Sequence, residues 1–414
     1  METKEIVVQK YGGESLADIE RMGKVAEFIV SIAKTGKKVV AVVSAMGKTT
    51  DQLIQLAKQA YGSENVPKDE LDNVLATGEQ LAASLLAIKI RALGIPARDL
   101  TGWQIGLEAD SEGMVKRIKK VNVIKELLDE FESITVAGFQ GIIEGTDRVV
   151  TLGRGGSDRT AVAVAAGLGC DECELYKDVD GVYAIDPDVV PNAIRFEIIS
   201  YDHMGQLADA GAKVIMGEAV DLAKNLGVKI KVLLSPSLGK TTGGTLVYSG
   251  STLEEMERAW QPAIAIREKV AAFRISKVSN HPGAAVAIFR PLRKRKLNLI
   301  DSNQGIGEET ADINILCLEE VRPSVSVELE IVKEKRVAGE ITISEHPNLV
   351  QFTLVAPLMG YRYGYLARVF EALANAKINI EAHSSSGNTI WVAVKKDSLK
   401  EAAQALAKEF DCLI

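Results

Sequence analysis

Four glycine-rich turns carry the residues whose types suit chemistry. Lys10-Tyr11-Gly12-Gly13 directly follows a short apolar run, Glu5 to Gln9. Paired glycines let a backbone approach phosphate oxygens with no Cβ in the way, and a lysine held there can neutralise charge on a transferring phosphoryl group. A plain tight turn would explain the same pair. Ser44-Ala45-Met46-Gly47 comes next, with Thr49-Thr50-Asp51 behind it. Its hydroxyls could hold a polar substrate or cap the following helix, and helix capping is the simpler reading of Asp51. The third turn is Gly153-Arg154-Gly155-Gly156-Ser157-Asp158, after an apolar run from Val149 to Leu152. Arg154 offers a planar fork suited to carboxylate or phosphate. Ser157 or Asp158 could act only as an N-cap, yet a cap requires neither the preceding glycines nor an arginine. The fourth is Lys177-Asp178-Val179-Asp180-Gly181-Val182-Tyr183, followed by Asp186-Pro187. It reads as an acidic turn, or as an acid and a tyrosine placed for a nucleotide base and ribose.

Other chemistries find less support. There is no Gly-x-x-x-x-Gly-Lys-Ser/Thr and no Gly-x-Gly-x-x-Gly opening a helix, so neither a P-loop enzyme nor a dinucleotide-dependent dehydrogenase is favoured. Cys170 and Cys173 form a Cys-x-x-Cys with no second pair and no nearby histidine, which favours a structural role and names no metal site. The net charge of −7 suits solubility and argues against nucleic acid. The basic runs Lys116–Lys120 and Arg290–Lys296 lack the interleaved aromatics that stack bases, and are read as charged helix faces. No apolar run approaches the ~18 residues of a membrane span. The first ten residues lack the long apolar region of a secretory signal, so a cytoplasmic protein is expected.

These turns need a frame. The 414 residues, at ~150 per domain, suggest two or three domains, and 47% hydrophobic content is enough for several cores. Over residues 1–250, apolar runs alternate with helical patterns. Leu16, Ile19, Met22, Val25, Ile29 and Ile32 mark one helix, and Lys38–Val43 reads as a buried strand. A helix from Thr50 would carry Leu53, Leu56 and Ala57 on one face. Such alternation predicts a mostly parallel sheet covered on both faces, with ligands at the carboxyl ends of its strands, where the glycine turns fall.

A polar boundary follows, and residues 251–264 read as a linker. Beyond it an internal repeat appears. Gly283, Phe289, Leu292, Lys296 and Asn298 recur as Gly364, Phe370, Leu373, Lys377 and Asn379, all at one offset of 81 residues. Each copy reads as strand, glycine turn, helix and strand, which is the mark of a duplication. The turn would present helix amide groups to a small ligand.

Together these turns resemble the aspartate kinases of the amino-acid kinase superfamily, over nearly the whole chain. Thr77-Gly78-Glu79, Gly138-Phe139-Gln140-Gly141 and Gly211-Ala212-Lys213-Val214 complete the set. The resemblance implies a three-layer α/β sandwich with a mostly parallel sheet over 1–250, then two α+β (ferredoxin-like) ACT domains at 265–345 and 346–414, with the last strand free to return to the first of them. It implies transfer of the ATP γ-phosphoryl group to the side-chain carboxylate of L-aspartate, with Mg²⁺ on the phosphates. By resemblance Lys10 stabilises the transferring group and Asp158 organises Lys10. Arg154, Glu79, Thr50, Ser44, Gly155 and Ser157 hold the amino acid. Gly12, Gly13, Lys177, Asp178, Tyr183 and Lys213 line the nucleotide site. An effector, lysine or threonine, would bind near Asn280, His281, Gly283, Asn303 and Gly364, in at least a homodimer.

The chain also departs from the family pattern. Glu14 replaces the usual Thr or Ser after the glycine pair, and a carboxylate there repels phosphate unless it turns away or pairs. Asp188 stands where an arginine usually follows Asp-Pro. Ile215-Met216-Gly217 replaces Leu-His-Pro, and Gly102–Val121 matches poorly. These departures keep two alternatives in view: a kinase of the same fold acting on another small amino acid, and a non-catalytic amino-acid sensor.

Overall fold

The computed structural model describes residues 4–240, 243–250, 261–356, 359 and 363–414; most of the expected linker, 251–260, lies outside them. Two compact units emerge. One comprises residues up to Val182, Arg195–Asp209 and Lys213 onward to the linker; the other comprises Tyr183–Ile194, Ala210–Ala212 and Gln261–Ile414.

The first unit runs β1 (Ile6–Tyr11), α1 (Ile19–Ala33), β2 (Lys38–Val43), α2 (Thr49–Tyr61), α3 (Lys68–Ala92), β3 (Ala97–Leu100), β4 (Leu107–Ala109), β5 (Val115–Ile118), α4 (Val121–Glu130), β6 (Ser133–Ala137), β7 (Gln140–Ile143), β8 (Val149–Thr151), α5 (Gly156–Leu168) and β9 (Glu172–Lys177). It continues with β10 (Ile198–Ile199), α6 (Tyr201–Ala210), α7 (Gly217–Leu226), β11 (Lys229–Leu234) and β12 (Thr245–Val247). Eight strands form one sheet in the order β10-β12-β11-β9-β1-β2-β6-β3. Every pairing in it is parallel except β11 with β12. All six residues of β2 are buried, as a strand covered on both faces requires. Met22, Val25 and Ile29 of α1 pack with Ala82, Leu86 and Ile90 of α3 against Val39, Ala41 and Val43. Asp18 starts α1 by accepting the Arg21 amide at 2.8 Å.

The poorly matching segment 102–121 supplies β4 and β5 of a separate four-stranded sheet, β5-β4-β7-β8. The basic run at 116–120 is therefore not a helix face: Lys116–Ile118 lie in β5. Arg117 and Lys119 reach the buried Glu108 carboxylate at 2.9 and 2.6 Å. Their pairing requirement explains the cluster without any polyanion. Two further expectations change at α2. The helix begins at Thr49 with no side-chain cap, so Asp51 does not cap it. Leu56 faces outward at 60% exposure while Ala57 is buried, because the inward stripe of this helix is narrower than its apolar content suggests.

The second unit contains β13 (Ala263–Ser279), α8 (Ala284–Lys294), β14 (Asp301–Gln304), β15 (Thr310–Leu318), α9 (Arg322–Glu334), β16 (Thr342–Val355), α10 (Tyr365–Asn375), β17 (Ala382–Ser386), β18 (Thr389–Lys395) and α11 (Leu399–Glu409). The 81-residue offset recurs in it: α8 maps onto α10 and the start of β14 onto that of β17. One antiparallel sheet, β14-β15-β13-β16-β18-β17, carries both repeats. Its two long central strands serve both. Val270–Ser279 pair with β15, while Ala263–Arg267 pair with Gln351–Val355. The place beside β16 in the second repeat is thus filled by the start of β13, rather than by a segment after Glu409. Residues at the chain's end instead meet 192–194, where Ile194 donates to the Cys412 carbonyl at 2.8 Å.

A buried and an exposed leucine on one helix test this packing. Leu86 of α3 is fully buried and Leu81 is 53% exposed. Leu86→Ala should cost about 3 kcal/mol in urea unfolding, and Leu81→Ala less than about 0.5 kcal/mol.

Candidate active site

The parallel strands of the first unit end together, and the residues of interest stand at those ends. Lys10 is the penultimate residue of β1, in register with Val42 and Leu175; Lys177 closes β9. Asp158 lies in the first turn of α5. Its Oδ1 is 2.7 Å from Lys10 Nζ and its Oδ2 is 2.6 Å from Lys177 Nζ. All three side chains are nearly shut off from solvent. Burial would raise the Asp158 carboxyl, but the two ammonium groups outweigh it and hold it at about 2. Burial pushes Lys177 down to about 8 against the pull of Asp158. At neutral pH the cluster therefore keeps one positive charge in excess.

Around it, turns approach backbone to backbone. A Cβ on Gly13 would lie 2.9 Å from the Ala45 carbonyl oxygen, and the Gly47 amide donates to the Gly13 carbonyl at 3.0 Å. Gly12 passes over Lys10, 3.7 Å from its Nζ at the Cβ position. Ser44 and Ser157 share a hydroxyl hydrogen bond of 2.7 Å. Gly155 holds φ +69°, and a Cβ there would strike Met216 at 2.4 Å. This gives α5 a left-handed lead-in with no side-chain cap; the Gly156 and Asp158 amides donate instead to the Gly153 and Gly155 carbonyls, each at 3.0 Å. Neither Ser157 nor Asp158 is an N-cap.

Glu79, on α3, is buried. Its Oε1 accepts the Ala45 amide at 2.9 Å, while Oε2 has no partner among the described residues. Burial lifts its carboxyl to about 7, although the Ala45 amide and Lys10 pull the other way. Gly78 allows this approach, since a Cβ there would meet Ala45 Cβ at 2.9 Å. Arg154 is exposed and pairs with no carboxylate among the described residues. Thr50 lies half-buried at the start of α2, and Asp178 and Lys213 are exposed. Tyr183 and Asp188 belong to the other unit. Glu14 turns outward and pairs with Arg21 at 3.1 Å, which removes the repulsion its position suggested.

The sequence missed the shared use of Asp158: Lys177 was expected at a nucleotide, and it grips this carboxylate. No residue near Lys177 in the sequence marks this partner, which is nineteen positions away. In the second unit, Asn280 is occupied in bracing a loop, donating to the Gly307 carbonyl at 2.5 Å. Exposed His281 stands beside the Pro282 carbonyl at 3.1 Å. Gly283 and Gly364, at φ +100° and +89°, lead into α8 and α10 with no side-chain cap. Asn303 accepts from Asn314 at 3.0 Å and lines a cavity of about 120 Å³ that Asn280, His281 and Gly283 do not line.

A parallel sheet with helix amides and paired lysines at its strand ends defines a phosphoryl-handling α/β unit. The profile of the Amino acid kinase family matches residues 5–234, and that of the ACT domain matches 352–410. The aspartokinase of Corynebacterium glutamicum is 38% identical over 411 residues, covering 98% of this chain and 96% of the relative. The solved aspartate kinase of Synechocystis is 32% identical, with a TM-score of 0.53, over 98% of this chain and 69% of that one. E. coli aspartokinase III, solved with aspartate and ADP, shares the fold at a TM-score of 0.74 and 21% identity, over 98% of this chain and 100% of that one. The chain belongs to the amino acid kinase family and, within it, to the aspartokinases. Among the described residues no helix is long and apolar enough to cross a membrane.

Two predictions follow from the charges. Asp158→Asn should destabilise the chain by about 3 kcal/mol or more, because two buried ammonium groups lose their common counter-ion. In the native protein this stabilisation is present above the ordinary carboxyl range and fades only as pH falls through about 2. Glu79 acts in the opposite sense. Its raised pKa means that stability falls as pH climbs from the ordinary carboxyl range to about 7, so Glu79→Gln should raise Tm at pH 8 and leave it nearly unchanged at pH 4.

Proposed function

We propose that the first unit transfers the ATP γ-phosphoryl group to the side-chain carboxylate of L-aspartate, giving 4-phospho-L-aspartate, the entry to lysine, threonine and methionine synthesis. The observation that carries this reading is the excess positive charge of Lys10 and Lys177 around Asp158, set beside Arg154, which pairs with no carboxylate among the described residues. An acceptor carboxylate and a polyphosphate are both anions, so their meeting point must be positive. Aspartate is already ionised at neutral pH, and the site therefore requires no general base. One carboxylate oxygen bonds to the γ-phosphorus as the bond to the β-phosphate oxygen breaks, and ADP leaves.

In this assignment Lys10 faces the transferring group, and Gly12 and Gly13 lie under the phosphates. Arg154 takes the substrate's other carboxylate and Glu79 its ammonium group, with Ser44, Thr50, Gly155 and Ser157 beside them. Lys177, held by Asp158, is assigned to the nucleotide together with Asp178 and Lys213. The described residues offer no cluster of three or more His, Cys, Asp or Glu side chains for a metal, and both Asp158 oxygens are occupied by lysines. Mg²⁺ would accordingly be carried on phosphate oxygens, where it lowers their charge. We assign catalysis to residues 1–250, and effector binding to repeats at 265–345 and 346–414 acting in a cytoplasmic homo-oligomer. The uncapped helix starts after Gly283 and Gly364 support the effector assignment, with lysine or threonine as the ligand.

Trapping of the acyl phosphate by hydroxylamine tests the reaction. Aspartyl hydroxamate should accumulate with ATP and L-aspartate, and Lys10→Ala should lower kcat at least ~100-fold. No hydroxamate from the wild-type chain, alongside a working control enzyme, overturns the reading; a better acceptor in a panel of small acids reassigns the substrate. Glu79 adds a pH signature. Once its carboxyl ionises, near 7, it can hold the substrate ammonium, so KM for aspartate should fall between pH 6 and 8. Glu79→Gln should flatten that profile.

A further inference from the structure

Arg159 follows Asp158 on α5 and points elsewhere. It is only 5% exposed. One terminal nitrogen, NH1, donates to the Gly113 carbonyl at 3.4 Å and lies 3.5 Å from Met114 Sδ. NH2 sits below the Gly153 backbone, 3.5 Å from where a Cβ would stand. Nε is buried with no partner among the described residues. Burial pushes this guanidinium below its ordinary value, and Glu218 and Asp110 offset that only in part. Asp110 is itself engaged by the Glu112 and Met114 amides, at 3.0 and 2.9 Å, and by Lys116 at 3.5 Å.

Such an arginine is an expensive way to fill space. Two long contacts replace the hydration of a charged group with several donors, and an apolar side chain of equal length would avoid the loss. What it contacts explains why a charge is useful there. The Asp110–Met114 turn is pressed onto β8: Gly113 has φ +84°, and a Cβ on it would lie 2.4 Å from the Thr151 carbonyl oxygen. Thr151 leads directly into Leu152 and the Gly153-Arg154-Gly155-Gly156 turn. Three of those four residues are glycines and contribute no side chain to hold the turn in place. Asp158 fastens the first turn of α5 to the lysines on one side. Arg159 joins it to the 110–114 turn, with NH2 packed beside Gly153, the residue before Arg154.

We propose that Arg159 is a positioning residue for the acceptor. By tying the Asp110–Met114 turn to the start of α5, beside Gly153, it sets where Arg154 meets the substrate carboxylate. The proposal rests on the carboxylate-kinase reading above. Steady-state kinetics on the full chain test it. Arg159→Met should raise KM for aspartate about tenfold, while kcat at saturating aspartate and KM for ATP stay within about twofold, because only binding of the acceptor is disturbed. Arg159→Lys, which keeps the charge but not the fork, should give a smaller rise in the same constant and serves as the deciding variant if the methionine protein fails to fold. An unchanged aspartate KM in a folded variant overturns the proposal, as does a fall in kcat with no change in KM. Wild-type turnover is measured alongside: its absence strikes the functional reading, whereas turnover with unaltered variant KM strikes only the role of Arg159.

Discussion

Two lysines converge on one buried carboxylate, and the arrangement of the first unit depends on that convergence. Removing three charges from water is costly, and their attraction compensates only when the geometry is good. Here the geometry comes from rigid elements: neighbouring parallel strands supply the lysines and the start of a helix supplies the acid. The carboxylate stays ionised far below neutral pH, so it is a fixed counter-ion across the physiological range. With one charge left over, the cluster is positive before any ligand arrives. That is the condition under which electrostatic stabilisation needs no reorganisation during the reaction.

The same constraint explains the glycines. Where backbone rather than side chains forms the walls of a small site, its turns can approach one another closely. Gly13 against Ala45, Gly78 against Ala45 and Gly155 against Met216 are all places where a Cβ would collide. Each lets two segments approach more closely than another residue would allow. Gly138 does the same against Ser157, where a Cβ would sit 2.8 Å from the serine's own Cβ. These glycines are spacing devices, and the chemistry-bearing residues sit between them.

Much of this was legible because it is local. A buried parallel strand, a glycine pair after it and a helix behind are short-range patterns, and they locate Lys10, Ser44, Arg154 and Asp158. What was not legible depends on distant partners. Nothing near Lys177 says that its charge is spent on Asp158, nineteen positions earlier. Nothing near Lys116–Lys120 says that the run is a strand serving Glu108. Leu56 carries the right apolar character for a core and lies outside, because the width of a buried stripe is set by the neighbouring helix. The repeat in the second unit was visible as an offset, but offsets say nothing about which strand pairs with which. That is decided by pairing between residues nearly ninety positions apart, as in Ala265 with Thr353.

That pairing has consequences for regulation. If each repeat supplied all of its own strands, either could shift as a separate body. Instead β13 and β16 run through both, and their backbone ladder would have to break for the repeats to part. The register of this ladder slips between Arg267 and Ala272, which places the irregularity at the passage from one repeat to the other. On the flanks, the Trp391 indole donates to Asp301 at 2.5 Å, tying β18 of the second repeat to β14 of the first. A ligand that moved one repeat would act on strands the other repeat also uses. The two repeats are thus joined through one backbone ladder, whose irregularity lies where one passes into the other.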